Sequence, residues 1–154
     1  MGDLSKPCKI LSWNVRSVLN DERLENVLQF IEDNNIMIAC LCETWFDSQN
    51  GKFTAKMKEA EFEILHANRG GKRGGGVAVV YKKSLKVKPG ESSSTKFTSF
   101  EFSYCCVQMV RSKVMLVCVY RLQEVSCNIF CEELEKLYGS NISKRRSSNS
   151  DRRF

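Results

Sequence analysis

Ile10-Leu11-Ser12-Trp13-Asn14-Val15-Arg16-Ser17 and Ile38-Ala39-Cys40-Leu41-Cys42-Glu43-Thr44-Trp45 are the two stretches that decide the fold. Each is a short apolar run that ends on a polar side chain, Asn14 in the first and Glu43 in the second. Between them, Leu24, Val27, Leu28 and Ile31 recur at helical spacing behind Asn20 or Asp21, either of which can cap a helix, and Asn34-Asn35 ends it. Strands are therefore expected over 8–13 and 36–41, the second apolar without interruption, as a strand covered on both faces requires. The opening reads as β-α-β. If its two strands are parallel neighbours, Asn14 and Glu43 emerge on one rim of the sheet, where open α/β sheets place their ligands. A carboxylate there can hold a hard divalent cation and the amide can orient a phosphate oxygen. The plainer alternative is that both are first loop residues.

Working outward, strands are expected at 62–65, at 77–81 behind Gly74-Gly75-Gly76, at about 98–110 and at 113–120. Arg111-Ser112 reads as a tight hairpin and residues 89–96 as a turn or short loop. Ser126 can cap a last helix bearing Phe130, Leu134 and Leu137, which Gly139 should stop. From Ser140 the chain turns to Ser, Asn, Lys and Arg and is expected to be disordered. The expected organisation is a flexible N-terminus over 1–7, one folded unit over 8–138 and a basic tail over 139–154. The glycines of 70–76 do not form a phosphate-cradling loop, because they precede a strand and lack a Gly-Lys-Ser/Thr ending. His66, the single histidine, has no Ser-His-Asp context around it.

Composition sets outer bounds. The 154 residues are 42% hydrophobic and 27% charged, within the range of an ordinary globular domain. No apolar run reaches the roughly 18 residues of a membrane span and no secretory leader is visible, so the expectation is an intracellular protein, nuclear or cytoplasmic, without membrane partners. Eight cysteines then read as reduced thiols buried as small hydrophobes rather than as a disulfide framework. The formal charge of +6 is unevenly spread. Arg69, Lys72, Arg73, Lys82, Lys83, Lys86 and Lys88 fall in one acid-free stretch, and Lys144, Arg145, Arg146, Arg152 and Arg153 crowd the tail against Asp151. The first stretch could face nucleic-acid phosphates or be a solvated hairpin edge.

Taken in order, four segments make a resemblance specific. Leu11–Arg16, Leu41–Trp45, Gly74–Tyr81 and Val117-Cys118-Val119-Tyr120-Arg121 resemble the opening of an endonuclease/exonuclease/phosphatase domain, of the apurinic-type kind found in non-LTR (LINE-like) retrotransposons. The resemblance is collinear over about 8–138. It implies an α/β fold, a four-layer α/β sandwich like that of deoxyribonuclease I with mixed β-sheet and flanking helices, here truncated to its N-terminal half. It implies Mg²⁺-dependent hydrolysis of DNA phosphodiesters. On matching positions, Glu43 resembles the metal-binding glutamate, Asn14 the asparagine that helps hold metal and phosphate, and Tyr120 the tyrosine at the scissile phosphate. Arg69, Lys72 and Arg73 are the candidate substrate contacts.

The departures are as informative. Leu122 stands where a proline is expected, and no Gly-Asp-Phe-Asn or Ser-Asp-His segment follows Gly139. The family's nucleophile-handling aspartate, asparagine and histidine are thus missing from these residues, and an inactive fragment is expected. A non-enzymatic basic nucleic-acid or protein-binding fragment is the alternative. Half a sandwich should also leave one sheet face bare, with Phe97, Phe100, Phe102, Val107 and Met109 available for self-association.

Overall fold

The structure is a computed structural model, which describes residues 7–46, 51–67 and 74–150. Strand β1 (Ile10–Asn14) leads into helix α1 (Asp21–Asp33), then β2 (Ile38–Cys42), α2 (Gly51–Glu59), β3 (Phe62–Ala67) and β4 (Val77–Lys82). A second run follows: β5 (Val87–Ser93), β6 (Phe100–Gln108), β7 (Lys113–Arg121) and α3 (Cys127–Ser150). The first sheet has the order β1-β2-β4-β3 and the second β5-β6-β7. β1 and β2 are parallel, with Asn14 opposite Cys42, so the rim expected from the two apolar runs exists.

Three cores divide the molecule into four layers. Helix α1 is capped by Asn20, whose side chain accepts from the amides of Glu22 and Arg23, and it lays Leu24, Val27 and Ile31 on the first sheet. Burial of each such side chain contributes about 1.5–3 kcal/mol. Phe53 and Met57 of α2, one turn apart, join the same core. The second core lies between the sheets, where Ile38, Cys40, Val77 and Val79 meet Cys105, Val107 and Cys118. The third, Phe100, Phe102 and Leu137 with Phe130 and Leu134 around them, joins the second sheet to α3. Helix, sheet, sheet, helix is the expected mixed α/β sandwich.

The bare sheet face is not found. Phe100 and Phe102 are fully buried under α3, whereas Val107 belongs to the core between the sheets and Met109 packs against it. Successive side chains of a strand point to opposite faces, so Phe100 and Phe102 never shared one with Val107 and Met109, while Phe97, which precedes β6, packs with Phe100 and Phe102. Self-association through that face has no support left.

Two boundaries also differ from expectation. Residues 89–93 belong to β5 rather than to a turn. β5 pairs only with β6, and an edge strand tolerates Pro89 because the absent amide is not needed for a second ladder. Pairing shifts register between Pro89 and Ser92, and Gly90 fits because a Cβ there would meet the Tyr104 ring at 2.1 Å. Gly139 does not stop α3, whose backbone stays helical to Ser150 where disorder was expected. A lone glycine costs a helix about 1 kcal/mol relative to alanine, but it ends one only by turning left-handed, and the positive-φ glycines here are 74–76. The N-terminal residues 1–6 and the tail residues 151–154 lie outside the described residues. No helix among the described residues is long and apolar enough to cross a membrane.

Candidate active site

Beyond the last paired residues of β1 and β2, the two chains continue to exchange hydrogen bonds. Val15 N–H donates to Cys42 O at 3.0 Å, Ser17 N–H to Glu43 O at 2.6 Å and Val18 N–H to Thr44 O at 3.2 Å. The glycine segment closes the other side, with Thr44 N–H on Gly76 O at 3.3 Å and Trp45 N–H on Gly75 O at 2.9 Å. Thr44 is thereby fully buried between two strained neighbours, Glu43 at φ 55° and Trp45 at φ 58°. Arg16, Ser17, Gly74, Gly75 and Gly76 have positive φ as well. Left-handed backbone costs a non-glycine residue about 1–2 kcal/mol, and four of the six described non-glycine residues that adopt it, Arg16, Ser17, Glu43 and Trp45, lie at this rim, the others being Asn35 and Glu61.

The strain turns the Glu43 carboxylate out of the strand and into a shared site. Asn14 Nδ2 donates to Glu43 Oε1 at 2.9 Å, and the Tyr120 hydroxyl donates to the same oxygen at 2.9 Å. Asn14 Oδ1 accepts the Arg16 amide at 3.2 Å, which fixes the orientation of the side-chain amide. Tyr120 comes from the second sheet, one residue before the end of β7. The three residues singled out in the sequence therefore meet. Glu43 Oε2 accepts nothing from a described residue, so one oxygen of a half-buried carboxylate remains for a ligand. A cleft of about 600 Å³ opens in front, walled by Glu43, Trp45, Gly74, Gly75, Thr98 and Tyr120.

Two carboxylates that the sequence reading missed brace the segments that wall the cleft. Glu101, opposite Tyr120 in the β6–β7 ladder, is fully buried, and its Oε2 accepts the Gly76 amide at 2.5 Å. It ties the glycine segment, and through it Thr44 and Trp45, to the second sheet. The signal was present in Phe100-Glu101-Phe102: a carboxylate inside a strand flanked by buried phenylalanines needs a buried donor. Glu133 of α3 accepts from both amides and both hydroxyls of Thr98 and Ser99, at 2.5–3.1 Å. Partial burial opposes its ionisation, but these donors outweigh burial and bring the carboxyl down to about 2.

Behind Glu43 lies a thiol cluster. The Sγ atoms of Cys42 and Cys118 are 3.9 Å apart. Hydrogen bonding from Cys118 lowers the Cys40 and Cys42 thiols, and the same bonds raise Cys118 above the ordinary thiol range. Cys105 is pushed up to about 11, chiefly by burial. All eight cysteines are free thiols, as expected, although Cys127 and Cys131 are exposed rather than buried.

Other sequence candidates do not converge here. His66 packs edge-on against Phe46, ring centres 5.4 Å apart, on the helix side of the first sheet. Arg69, Lys72 and Arg73 lie outside the described residues. The remainder of the basic stretch is split from them, because β4 runs from the site rim at Val77 to the far rim at Lys82. Lys86 and Lys88 line a separate groove of about 530 Å³ there, together with Lys113. Lys113 is seven residues from Tyr120 along β7, about 24 Å at strand rise.

One carboxylate with a neighbouring amide suits a Mg²⁺ ion that keeps most of its waters and takes remaining ligands from substrate phosphate. No group of three or more His, Cys, Asp or Glu among the described residues could cage a metal ion by itself. The arrangement thus fits a metal held jointly with a phosphate, at the carboxyl end of a parallel strand pair.

Two β-sheets packed face to face between outer helices define the class of fold, a two-sheet α/β sandwich. The chain belongs to the endonuclease/exonuclease/phosphatase family, whose model matches residues 11–149. Among solved structures, the catalytic domain of human Nocturnin with bound sulfate aligns at TM-score 0.64 and 15% identity, covering 91% of this chain and 60% of that one. The endonuclease domain of TRAS1, a telomere-specific non-LTR retrotransposon, aligns at 0.58 and 14%, covering 87% and 53%. D. rerio TDP2, complexed with single-strand DNA product, aligns at 0.57 and 16%, covering 84% and 52%. The chain therefore spans only about half to three-fifths of these structures. No curated protein matches the chain.

Proposed function

We propose that Asn14, Glu43 and Tyr120 are the metal- and phosphate-holding part of a DNA phosphodiesterase site of the retrotransposon endonuclease type, and that the 154-residue chain alone does not turn over. The observation that carries this reading is the Glu43 carboxylate, oriented by Asn14 and Tyr120 at 2.9 Å each on one oxygen, in the wall of an open cleft. Mg²⁺, when bound, would polarise a phosphoryl oxygen and offset the charge that builds on it. Glu43 would hold the ion, Asn14 would fix the carboxylate and face the phosphate, and the Tyr120 hydroxyl, whose one proton is on Glu43 here, would turn it to a phosphoryl oxygen when substrate binds. The fold kinship with TRAS1 and with a DNA-bound TDP2 supports DNA as substrate class.

Turnover also needs a group that deprotonates the attacking water. Positioned general bases contribute about 10²–10⁴-fold, and the sequence after Gly139 supplies neither an Asp-x-Asn nor an Asp-His pair. Incubating the purified chain with supercoiled plasmid and Mg²⁺ is expected to give no nicking, and Mg²⁺-dependent nicking would overturn the inactivity. Mg²⁺ is expected to raise the Tm of the native chain but not of Glu43→Gln, and equal responses would overturn the metal role.

The far-rim groove of Lys86, Lys88 and Lys113 favours a second reading, a non-enzymatic nucleic-acid binder. Filter binding across salt separates the two. Under this reading affinity falls steeply with salt and depends on those lysines rather than on Glu43.

A further inference from the structure

We propose that Cys42 and Cys118 are a peroxide-sensitive thiol pair that closes to a disulfide and staples the two sheets directly behind the Glu43–Tyr120 contact. Cys42 ends β2 of the first sheet and Cys118 lies in β7 of the second, 76 residues apart, yet their sulfurs are 3.9 Å from each other. Each also points its sulfur at the other strand: Cys42 Sγ donates to Val119 O at 3.8 Å and Cys118 Sγ to Leu41 O at 3.9 Å. A disulfide sets sulfurs about 2.05 Å apart, so each needs to move by only about 1 Å.

Access sets the order of events. Cys42 is half-buried, whereas Cys40 and Cys118 are buried, so an oxidant entering from the rim meets Cys42 first. The Cys42 sulfur attacks hydrogen peroxide and breaks its O–O bond. One oxygen stays as the sulfenic acid, and the other leaves as water with the thiol proton. The Cys118 sulfur then attacks the Cys42 sulfur, forming the S–S bond and expelling the hydroxyl, which leaves as water with the second thiol proton. Two thiols give up two electrons, and one peroxide becomes two waters.

The staple would act on the site through short covalent paths. Glu43 follows Cys42 directly, and Tyr120 is two residues from Cys118. Joining their strands fixes the separation across which the phenol reaches the carboxylate.

The test uses the full chain with the exposed pair replaced, Cys127→Ser and Cys131→Ser. It is treated with one equivalent of hydrogen peroxide, quenched by alkylation and read by mass spectrometry. The expected product is about 2 Da lighter, has a Tm raised in a dithiothreitol-reversible way, and yields a linked peptide pair holding residues 42 and 118. Cys40 and Cys42 share one tryptic peptide, so the link must survive Cys40→Ala and vanish in Cys42→Ala. Fragmentation of the linked peptide assigns the same cysteine if either variant fails to fold. A Cys40–Cys118 link, or Cys42 carried to the sulfinic acid with no link, overturns the proposal. Neither DNA nor Mg²⁺ enters the experiment, so its outcome is separate from that of the nuclease reading.

Discussion

Gly74 and Gly76 offer a matched pair for testing how tightly the site rim is built. Their φ angles are 84° and 88°, so alanine at either position carries the same left-handed penalty of about 1–2 kcal/mol. Their surroundings differ. A Cβ on Gly74 would meet nothing within 4 Å, whereas one on Gly76 would lie 2.6 Å from Thr44 Oγ1 and 3.5 Å from the Trp45 amide nitrogen. Thr44 is fully buried and β-branched, so its side chain cannot rotate away cheaply. Overpacking of this kind adds about 1–3 kcal/mol. Gly76→Ala should then melt about 2–12 °C below Gly74→Ala, at roughly 2–4 °C per kcal/mol for a chain of this size. Circular dichroism melts of both variants measure the difference. Thr44→Ala in the Gly76→Ala background should recover most of the excess, since it removes the atom that is struck. Equal melting of the two glycine variants, or no recovery in the double variant, would refute the claim that Thr44 is clamped against the glycine segment.

Other outcomes follow from the same geometry. Tyr120→Phe should leave Tm within a few degrees, because a half-exposed hydrogen bond contributes about 1 kcal/mol, yet weaken Mg²⁺ binding by about 10-fold or more by calorimetry, since partners that orient a metal's carboxylate ligand typically carry that much. Glu133 has a folded pKa of about 2, below the usual carboxyl value of about 4.3, so its contribution is present above that usual value and fades as pH falls toward 2. The Tm difference between the native chain and Glu133→Gln should accordingly be largest near neutral pH and shrink below about pH 4, and a difference independent of pH would count against it. Gly90→Ala puts a Cβ 2.6 Å from the Tyr104 carbonyl oxygen as well as against its ring, and should destabilise by about 2 kcal/mol or more in urea titration.

Much of the rim was legible in the chain itself. Two apolar runs flanking an amphipathic helix fix a parallel β-α-β unit, and parallel strands bring their carboxyl ends to one side, so Asn14 and Glu43 could be placed together from sequence alone. The helix caps at Asn20 and Ser126 were readable for the same reason, because capping is decided within three residues. Tyr120 could be linked to Glu43 only by resemblance, since the two are 77 positions apart and are brought together by one sheet packing on another. Tertiary structure also decided what local pattern leaves open: that Glu101 has a buried amide to receive, that Pro89 and Gly90 continue an edge strand, and that Phe100 and Val107 face different cores. Local sequence settles periodicity and capping because both depend on neighbours along the chain. Which face is covered, and by what, depends on neighbours in space, and at this rim those neighbours come from both sheets.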